Sequence, residues 1–355
     1  MLLLAAKFGL LTLVNRQEAS GELAMWRRLR TSVATLVRKG APVGTAAFIS
    51  ADGYAVANSL IIQKGATELI TDSGLTYKIR VVSTDSISQL TLIKTTTQPA
   101  GITFVRPAEK SDGEKGTVYA IMPNKVLKGD LTGTEKIGID QKTKRTFPIQ
   151  EIRVEQPALQ MGGALLFSQN GRLIGGLFAA LAQESTYTAA PPSVADLAQN
   201  AQKAAQGTVQ QNQNLRNFGP QGMVVGYSPT WEVTSKAIAG FLTPERKAQY
   251  GLLGVFIIDN KFGGVEIQSL TKDGSADLAG LEVGDVIIDI NRDKIRKQID
   301  FSRAIYKLVP GTTIPIQVRR KAEILTILVT IGYQQAQADG HPLSSTEPNG
   351  FPEIR

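Results

Sequence analysis

The chain has no cysteine and only one histidine in 355 residues. The first absence removes thiol nucleophiles, disulfides and thiolate metal sites together. It leaves the compartment open, because envelope proteins also fold without disulfides. The second absence is as strict. His341 lies in a polar, proline-containing tail, whereas a Ser-His-Asp relay needs an imidazole built into the site. A histidine zinc site needs two or three. Neither can be assembled within one chain. Also missing are a Walker Gly-x-x-x-x-Gly-Lys, a Rossmann Gly-x-Gly-x-x-Gly after a strand, and a His-Glu-x-x-His. No cofactor and no metal are therefore expected. Long apolar runs are missing too: residues 1–14 are apolar except for Lys7, which is too short to span a bilayer.

What is present favours many short strands. Glycines number 34, aromatic residues make up 6% and apolar residues 42%. The length suits two or three domains, each able to build its own core. The net charge is +8, with one local cluster at Arg27, Arg28, Arg30, Arg38 and Lys39. The spacing reads as a solvated helix face, so no nucleic-acid partner is expected. Residues 1–25 read either as a signal or anchor remnant, through which the chain would associate with a membrane, or as a helix packed on the body.

Residues 22–37 carry Leu23, Trp26, Leu29, Val33 and Leu36 at helical spacing, predicting one amphipathic helix. From Gly44 the period changes to two. Apolar runs on both sides of Ala51-Asp52-Gly53 predict a hairpin. Further strands are expected at 68–71, 76–83, 90–94 and 116–122. The stretch Gln160-Met161-Gly162-Gly163 opens into the strand Ala164-Leu165-Leu166-Phe167. A Gln169-Asn170-Gly171 turn then leads to a strand ending in Gly175-Gly176. Regular short strands without intervening helices argue for a barrel or sandwich, with residues 187–191 as its exit. Residues 196–250 read as a Gln/Ala/Asn-rich linker and a short helical segment, with Trp231, Val233, Ile238 and Phe241 partly at helical spacing. Residues 251–333 read as a compact second domain, and 334–355 as a disordered tail. In the second domain, strands are expected at 253–258, 265–270, 314–319 and 324–331. A short helix capped by Ser275 and a second helix over 300–309 complete it.

Together these segments resemble the HtrA/Deg family of trypsin-like serine proteases with a C-terminal PDZ domain. The resemblance covers residues 31–332 and implies a mostly β fold: a trypsin-like double six-stranded β-barrel over 26–195, followed by an α+β PDZ domain. In the family, an Asp-Gly hairpin leads to Asn-x-His, which holds the general base. The matching residues here are Asn58-Ser59-Leu60, so the base position is Leu60. The family's acidic residue sits in Asp-x-x-x-Asp-Leu-Ala-Val-Leu-Lys. The match is Asp85-Ser86-Ile87-Ser88-Gln89-Leu90-Thr91-Leu92-Ile93-Lys94, which puts Gln89 at the acid. The nucleophile motif Gly-Asn-Ser-Gly-Gly matches Leu159-Gln160-Met161-Gly162-Gly163. Met161 stands for the serine and Leu159 for an oxyanion-hole glycine.

None of these side chains can do the chemistry. Leu60 cannot accept a proton, Gln89 carries no charge to stabilise an imidazolium, and Met161 cannot form an acyl-enzyme. The nearby hydroxyls of Ser50 and Ser59 have no base, since a lysine dyad requires a buried, depressed-pKa amine and Lys64 and Lys94 are poor matches. The resemblance therefore implies a degenerate triad and a non-catalytic homologue. The alternative is an active HtrA-type endopeptidase using other residues.

The second half of the resemblance implies peptide binding. Leu252-Leu253-Gly254-Val255 matches the PDZ carboxylate-binding loop. The strand after it, through Phe256 and Ile257, offers an edge for β-augmentation. Phe301 and Ile305 would line the other wall. Ala279-Gly280-Leu281-x-x-Gly284-Asp285-x-Ile287 matches a signature of bacterial PDZ domains. Expected partners are peptide or protein C-termini and extended segments, with a homotrimer or an assembly with active paralogues. The expected location is the cell envelope, periplasm or exterior, with the cytoplasm as the alternative.

Overall fold

Six strands between Val33 and Thr95 close into a barrel. They are β1 (Val33–Arg38), β2 (Ala41–Phe48), β3 (Tyr54–Asn58), β4 (Glu68–Ile70), β5 (Thr76–Asp85) and β6 (Leu90–Thr95), in the order β1-β2-β3-β6-β5-β4. The structure is a computed structural model. It describes residues 20–123, 125–139, 146–155, 163–177 and 223–335. The Asp52-Gly53 hairpin forms as its sequence requires. Gly53 has φ +90°, and a Cβ there would sit 2.8 Å from Pro99 Cδ, so only glycine fits. Small residues Ala46, Ala55 and Ala57 and the large Phe48, Leu69 and Ile93 fill the barrel.

The helix expected over 22–37 is half that length. Helix α1 spans Ser20–Leu29, and Val33 and Leu36 belong to β1. The run Val33-Ala34-Thr35-Leu36-Val37 is rich in β-branched residues. It pairs with β2 on one side and β4 on the other, so closing the barrel overrides a helical spacing that continues only by coincidence.

A second six-stranded sheet follows: β7 (Gly116–Met122), β8 (Lys125–Ile139), β9 (Thr146–Glu155), β10 (Leu165–Ser168), β11 (Leu173–Gly176) and β12 (Met223–Pro229). Its order is β11-β10-β7-β8-β9-β12. Its two end strands approach each other: a Cβ on Gly175 of β11 would lie 2.7 Å from Ser228 Oγ of β12. The sheet is thus barrel-like. Residues 223–229, read from sequence as linker, pair along their whole length with β9. Helix α2 (Ser59–Gln63) follows β3, and the short helix α3 (Lys110–Gly113) precedes β7. Helix α4 (Trp231–Leu242) then buries Val233, Ile238 and Phe241 in the core between the two sheets. Residues 1–19, 156–162, 178–222 and 336–355 lie outside the described residues, with the expected leader, exit strand and tail.

The C-terminal domain is one sheet ordered β14-β15-β16-β18-β19, with β17 beside β16. Its strands are β14 (Val255–Asp259), β15 (Val265–Leu270), β16 (Val286–Ile290), β17 (Asp293–Lys294), β18 (Thr313–Arg320) and β19 (Glu323–Thr330). A separate pair, β13 (Gln249–Leu252) and β20 (Gly332–Gln335), ties its two ends together. Helices α5 (Ser275–Leu278) and α6 (Gln298–Lys307) complete it. Ser275 is the first helical residue and Gly274 takes the cap position. A Cβ there would lie 2.8 Å from Thr271 O, so the cap position takes glycine and Ser275, expected as the cap, falls inside the helix. Among the described residues, no helix is long and apolar enough to cross a membrane, and no cluster of His, Asp or Glu could hold a metal ion.

Candidate functional site

Two places in the fold bear on function. The first is the cleft where β3 runs into α2. Asn58 caps α2 by accepting the Leu60 N–H at 3.0 Å on Oδ1. Its Nδ2 donates to Leu177 O of the second sheet at 3.1 Å. Fully buried, Asn58 is a bridge between the two sheets. The next residues divide by face: Ile61 is 2% exposed and Leu60 39%. Leu60 therefore points from the first turn of α2 toward solvent and carries no titratable group.

Gln89 sits in the β5–β6 turn at φ +58°. Its backbone carbonyl accepts the Ser59 N–H at 2.9 Å, which brings it beside Leu60. Its side-chain amide donates to Ser86 O and stays within its own turn. From the second sheet, Gly163 reaches the same place. It has φ +104°, donates its N–H to Leu177 O at 3.1 Å, and a Cβ on it would lie 2.6 Å from Ile61 Cγ1. The structure thus gathers Leu60, Gln89 and Gly163 at one cleft. Leu159 and Met161 lie outside the described residues. The side chains weighed as substitutes are already engaged. Ser50 Oγ donates to Asp52 Oδ1 at 2.5 Å, and Lys94 Nζ donates to Asp52 Oδ2 at 2.7 Å. Lys64 is the exposed C-cap of α2.

The second place is the end of the C-terminal sheet. Leu253 is buried, while Leu252 and Phe256 are exposed. Leu253 O accepts from Ala276 N at 3.0 Å, and Gly254 O accepts from Thr271 N at 2.8 Å. Every peptide bond here is trans, so an N–H points opposite to the carbonyl of its own peptide unit. With both carbonyls turned inward, the N–H groups of Gly254 and Val255 face outward, one after the other. Gly254 has φ +77°, the backbone that allows this turn. Successive outward N–H groups form a concavity suited to a carboxylate. Beyond the loop, β14 is an end strand, paired among the described residues with β15 alone. Helix α6 packs alongside β14, with Ile305 buried and Phe301 and Ile257 half-buried against the domain core. The loop, the strand edge and the helix wall therefore adjoin.

Residues 251–331 match the family model described as PDZ domain. A probable periplasmic serine endoprotease, DegP-like, from Bartonella henselae is 26% identical over 305 residues, covering 81% of this chain and 52% of that protein. The serine endoprotease DegS from Salmonella typhimurium is 22% identical, covering 89% of this chain and 84% of that one. This chain carries a PDZ domain and is similar along most of its length to HtrA-type proteases. It spans about half the length of the DegP-like relatives. Solved structures share the fold: the HtrA-type protease AlgW with decapeptide has a TM-score of 0.56 at 17% identity, covering 88% of this chain and 98% of that one. A serine endoprotease from Yersinia pestis has a TM-score of 0.53 at 17% identity, covering 87% and 97%.

Sequence reasoning missed how the PDZ domain is joined to the barrels. Tyr250 on β13 is fully buried and donates its hydroxyl to Asp85 Oδ2 at 2.5 Å. Asp85 lies only four residues before Gln89 and also accepts the Ser88 N–H at 2.9 Å. Burial raises the Asp85 pKa, against the lowering effect of the Ser88 and Tyr250 hydrogen bonds. The Tyr250 ring meets Tyr306 of α6 edge-on, with centroids 5.3 Å apart. Tyr306 donates to Thr146 O at 3.0 Å, and Arg303 grips Glu135 Oε2 at 2.5 and 3.0 Å. Helix α6 thus has two faces, one along the PDZ groove and one against the second sheet. The available signal was weak: an aspartate in a matched motif and two tyrosines.

Proposed function

We propose that this protein is a non-catalytic HtrA homologue. Its PDZ domain takes peptide C-termini or extended segments, and its barrels serve as a scaffold. In this role it is an adaptor, a chaperone-like holder or a regulatory partner of active paralogues. The observation that carries the reading is Leu60. At the position matched to the general base, the first turn of α2 offers solvent an aliphatic side chain. No other histidine exists in the chain to replace it, since His341 is the only one. Gln89, at the matched acid, is neutral and bonded within its own turn. The sequence adds Met161 and Leu159 at the nucleophile loop. A serine relay lacks its base, its charge and its nucleophile at once.

Peptide binding is supported by the outward N–H groups of Gly254 and Val255, by the open edge of β14 and by Phe301 and Ile305 on α6. The names of the relatives point to the periplasm or envelope, and nothing in them supports the cytoplasm.

Two assays test the two halves separately. Purified protein is expected to leave unfolded casein intact and to ignore a fluorophosphonate probe. Hydrolysis that co-purifies with the chain and labels Ser50 or Ser59 would overturn the first half. A C-terminal peptide library is expected to yield binders that compete with one another, and a full screen without a binder would overturn the second.

A further inference from the structure

The PDZ sheet has a second end. Strand β19 pairs with β18 and with no other strand among the described residues. Its side chains alternate. Leu325, Ile327 and Val329 turn toward the domain core, while Ile324 and Leu328 stand out at 65% and 67% exposure. Soluble proteins protect such edges with proline, inward charge, a bulge or a very short strand. This strand has none of these. It runs for eight residues in unbroken register with β18, and its one charged residue, Glu323, is at its start.

The order of residues says what fits there. Ile324-Leu325-Thr326-Ile327-Leu328 reads alike in hydropathy from either end. An antiparallel copy of the same strand, related by a two-fold axis at Thr326, sets Ile324 opposite Leu328 and Leu325 opposite Ile327. Thr326 then faces its own copy. Glu323 falls opposite Val329 and Lys321 opposite Ile331, so no like charges meet. A two-fold contact has to be self-complementary in this way, whereas an unrelated extended segment would need no such symmetry. We propose that β19 pairs with β19 of a second copy of this chain, joining two six-stranded sheets edge to edge. A single strand pair belongs to the small interfaces, below about 1,200 Å² in total, so the contact is reversible. It is separate from the peptide groove at the other end of the sheet.

The chain's lack of cysteine supplies the test. Thr326→Cys in the full chain introduces a single thiol, which the two-fold axis places next to its copy, within the reach of a disulfide. Under mild oxidation it is expected to form a covalent dimer at least about tenfold faster than Ser73→Cys, an exposed site on the first barrel, because pairing raises the local thiol concentration. Adding Leu328→Lys is expected to return the rate to that of the control, with an unchanged melting curve because Leu328 is exposed. A Thr326→Cys rate equal to the control, or one insensitive to Leu328→Lys, overturns the proposal. So does a thiol at position 326 that is shielded from maleimide in the monomer, since another part of the chain would then cover the edge.

Discussion

Removing the Tyr250 hydroxyl isolates one hydrogen bond at the junction between the PDZ domain and the barrels. Tyr250→Phe keeps the ring and its edge-on contact with Tyr306, so the main loss is the 2.5 Å bond to Asp85 Oδ2, the hydroxyl's contact with Val233 O being longer at 3.5 Å. A hydrogen bond to a charged group is worth about 1.5–3 kcal/mol, and one between neutral groups about 0.5–1.5 kcal/mol. Which applies depends on pH. Burial holds the Asp85 pKa above its ordinary value, so the native state keeps the proton to a higher pH than the unfolded chain, where it leaves near about 3.9. Between these two values the native state binds more protons, and stability falls as pH rises; above the native value the curve levels off. The Tyr250 hydroxyl favours the carboxylate, so deleting it raises the native pKa further and costs most on the alkaline side. The expected destabilisation is about 1 kcal/mol on the acid side, where the native carboxyl keeps its proton, and about 2–3 kcal/mol on the alkaline side, where it is ionised. Urea unfolding followed by the fluorescence of Trp26 and Trp231, both outside the PDZ domain, measures it. An equal loss on both sides, or a larger one in acid, would refute the reasoning.

Asp85→Asn should flatten the same pH dependence and leave a protein at least as stable as the parent at alkaline pH, read from the same urea curves. Gly163→Ala should lower stability by about 2 kcal/mol or more, because φ is +104° and the new Cβ meets Ile61; a Gly163→Ala/Ile61→Val pair that recovers part of the loss in a thermal melt would identify the clash as one cause. Arg303→Ala should cost about 1–2 kcal/mol, less in high salt, because the half-buried two-point contact with Glu135 is lost; chemical denaturation at low and high ionic strength reads it. Gly254→Ala should weaken peptide binding about tenfold or more in a fluorescence titration, while the isolated loss of Phe256, exposed on β14, should change selectivity more than stability.

The sequence carried most of the strand inventory because alternation and turn chemistry agree locally. Asp52-Gly53 and Asn170-Gly171 are glycine turns that need no tertiary help to be recognised, and Gly171 takes φ +71°. Strands β8 and β9 were not legible. Lys125–Ile139 is crowded with Lys, Thr, Gly and Glu, and its pairing with β9 is decided by long-range register, including a shift between Leu131 and Glu135. Val33 and Leu36 misled because their spacing suits a helix while their pairing makes a strand. At the candidate sites, Leu60, Gln89 and the 252–257 segment could be located by motif. The role of Asp85 could not, because its partner Tyr250 is 165 residues away.

The junction beside α2 is held together largely without the side chains at 60 and 89. The contacts that hold Leu60 and Gln89 against their neighbours run through backbone, and the one side-chain bond, from the Gln89 amide to Ser86 O, stays within its own turn. Asn58 joins α2 to the second sheet through Leu60 N and Leu177 O, and Ser59 N reaches the Gln89 carbonyl. Gly163 is fixed by its own N–H and by contact with Ile61. Between the two sheets only backbone, Asn58 and glycine are needed, so the exposed residue at 60 is free to change at little cost. A relay lives wholly in side chains, and nothing in the folding of this cleft selects for them. Leu60 is exposed enough that its substitution by histidine should shift stability by no more than about 0.5 kcal/mol. The reverse change would have been as cheap. Asp85 is different: its side-chain oxygen is fully buried and accepts from Tyr250, so a residue without an acceptor there would disturb the seat of the PDZ domain. Of the two acidic positions in the matched motif, the one that still carries an acid is the one whose side chain the fold itself uses.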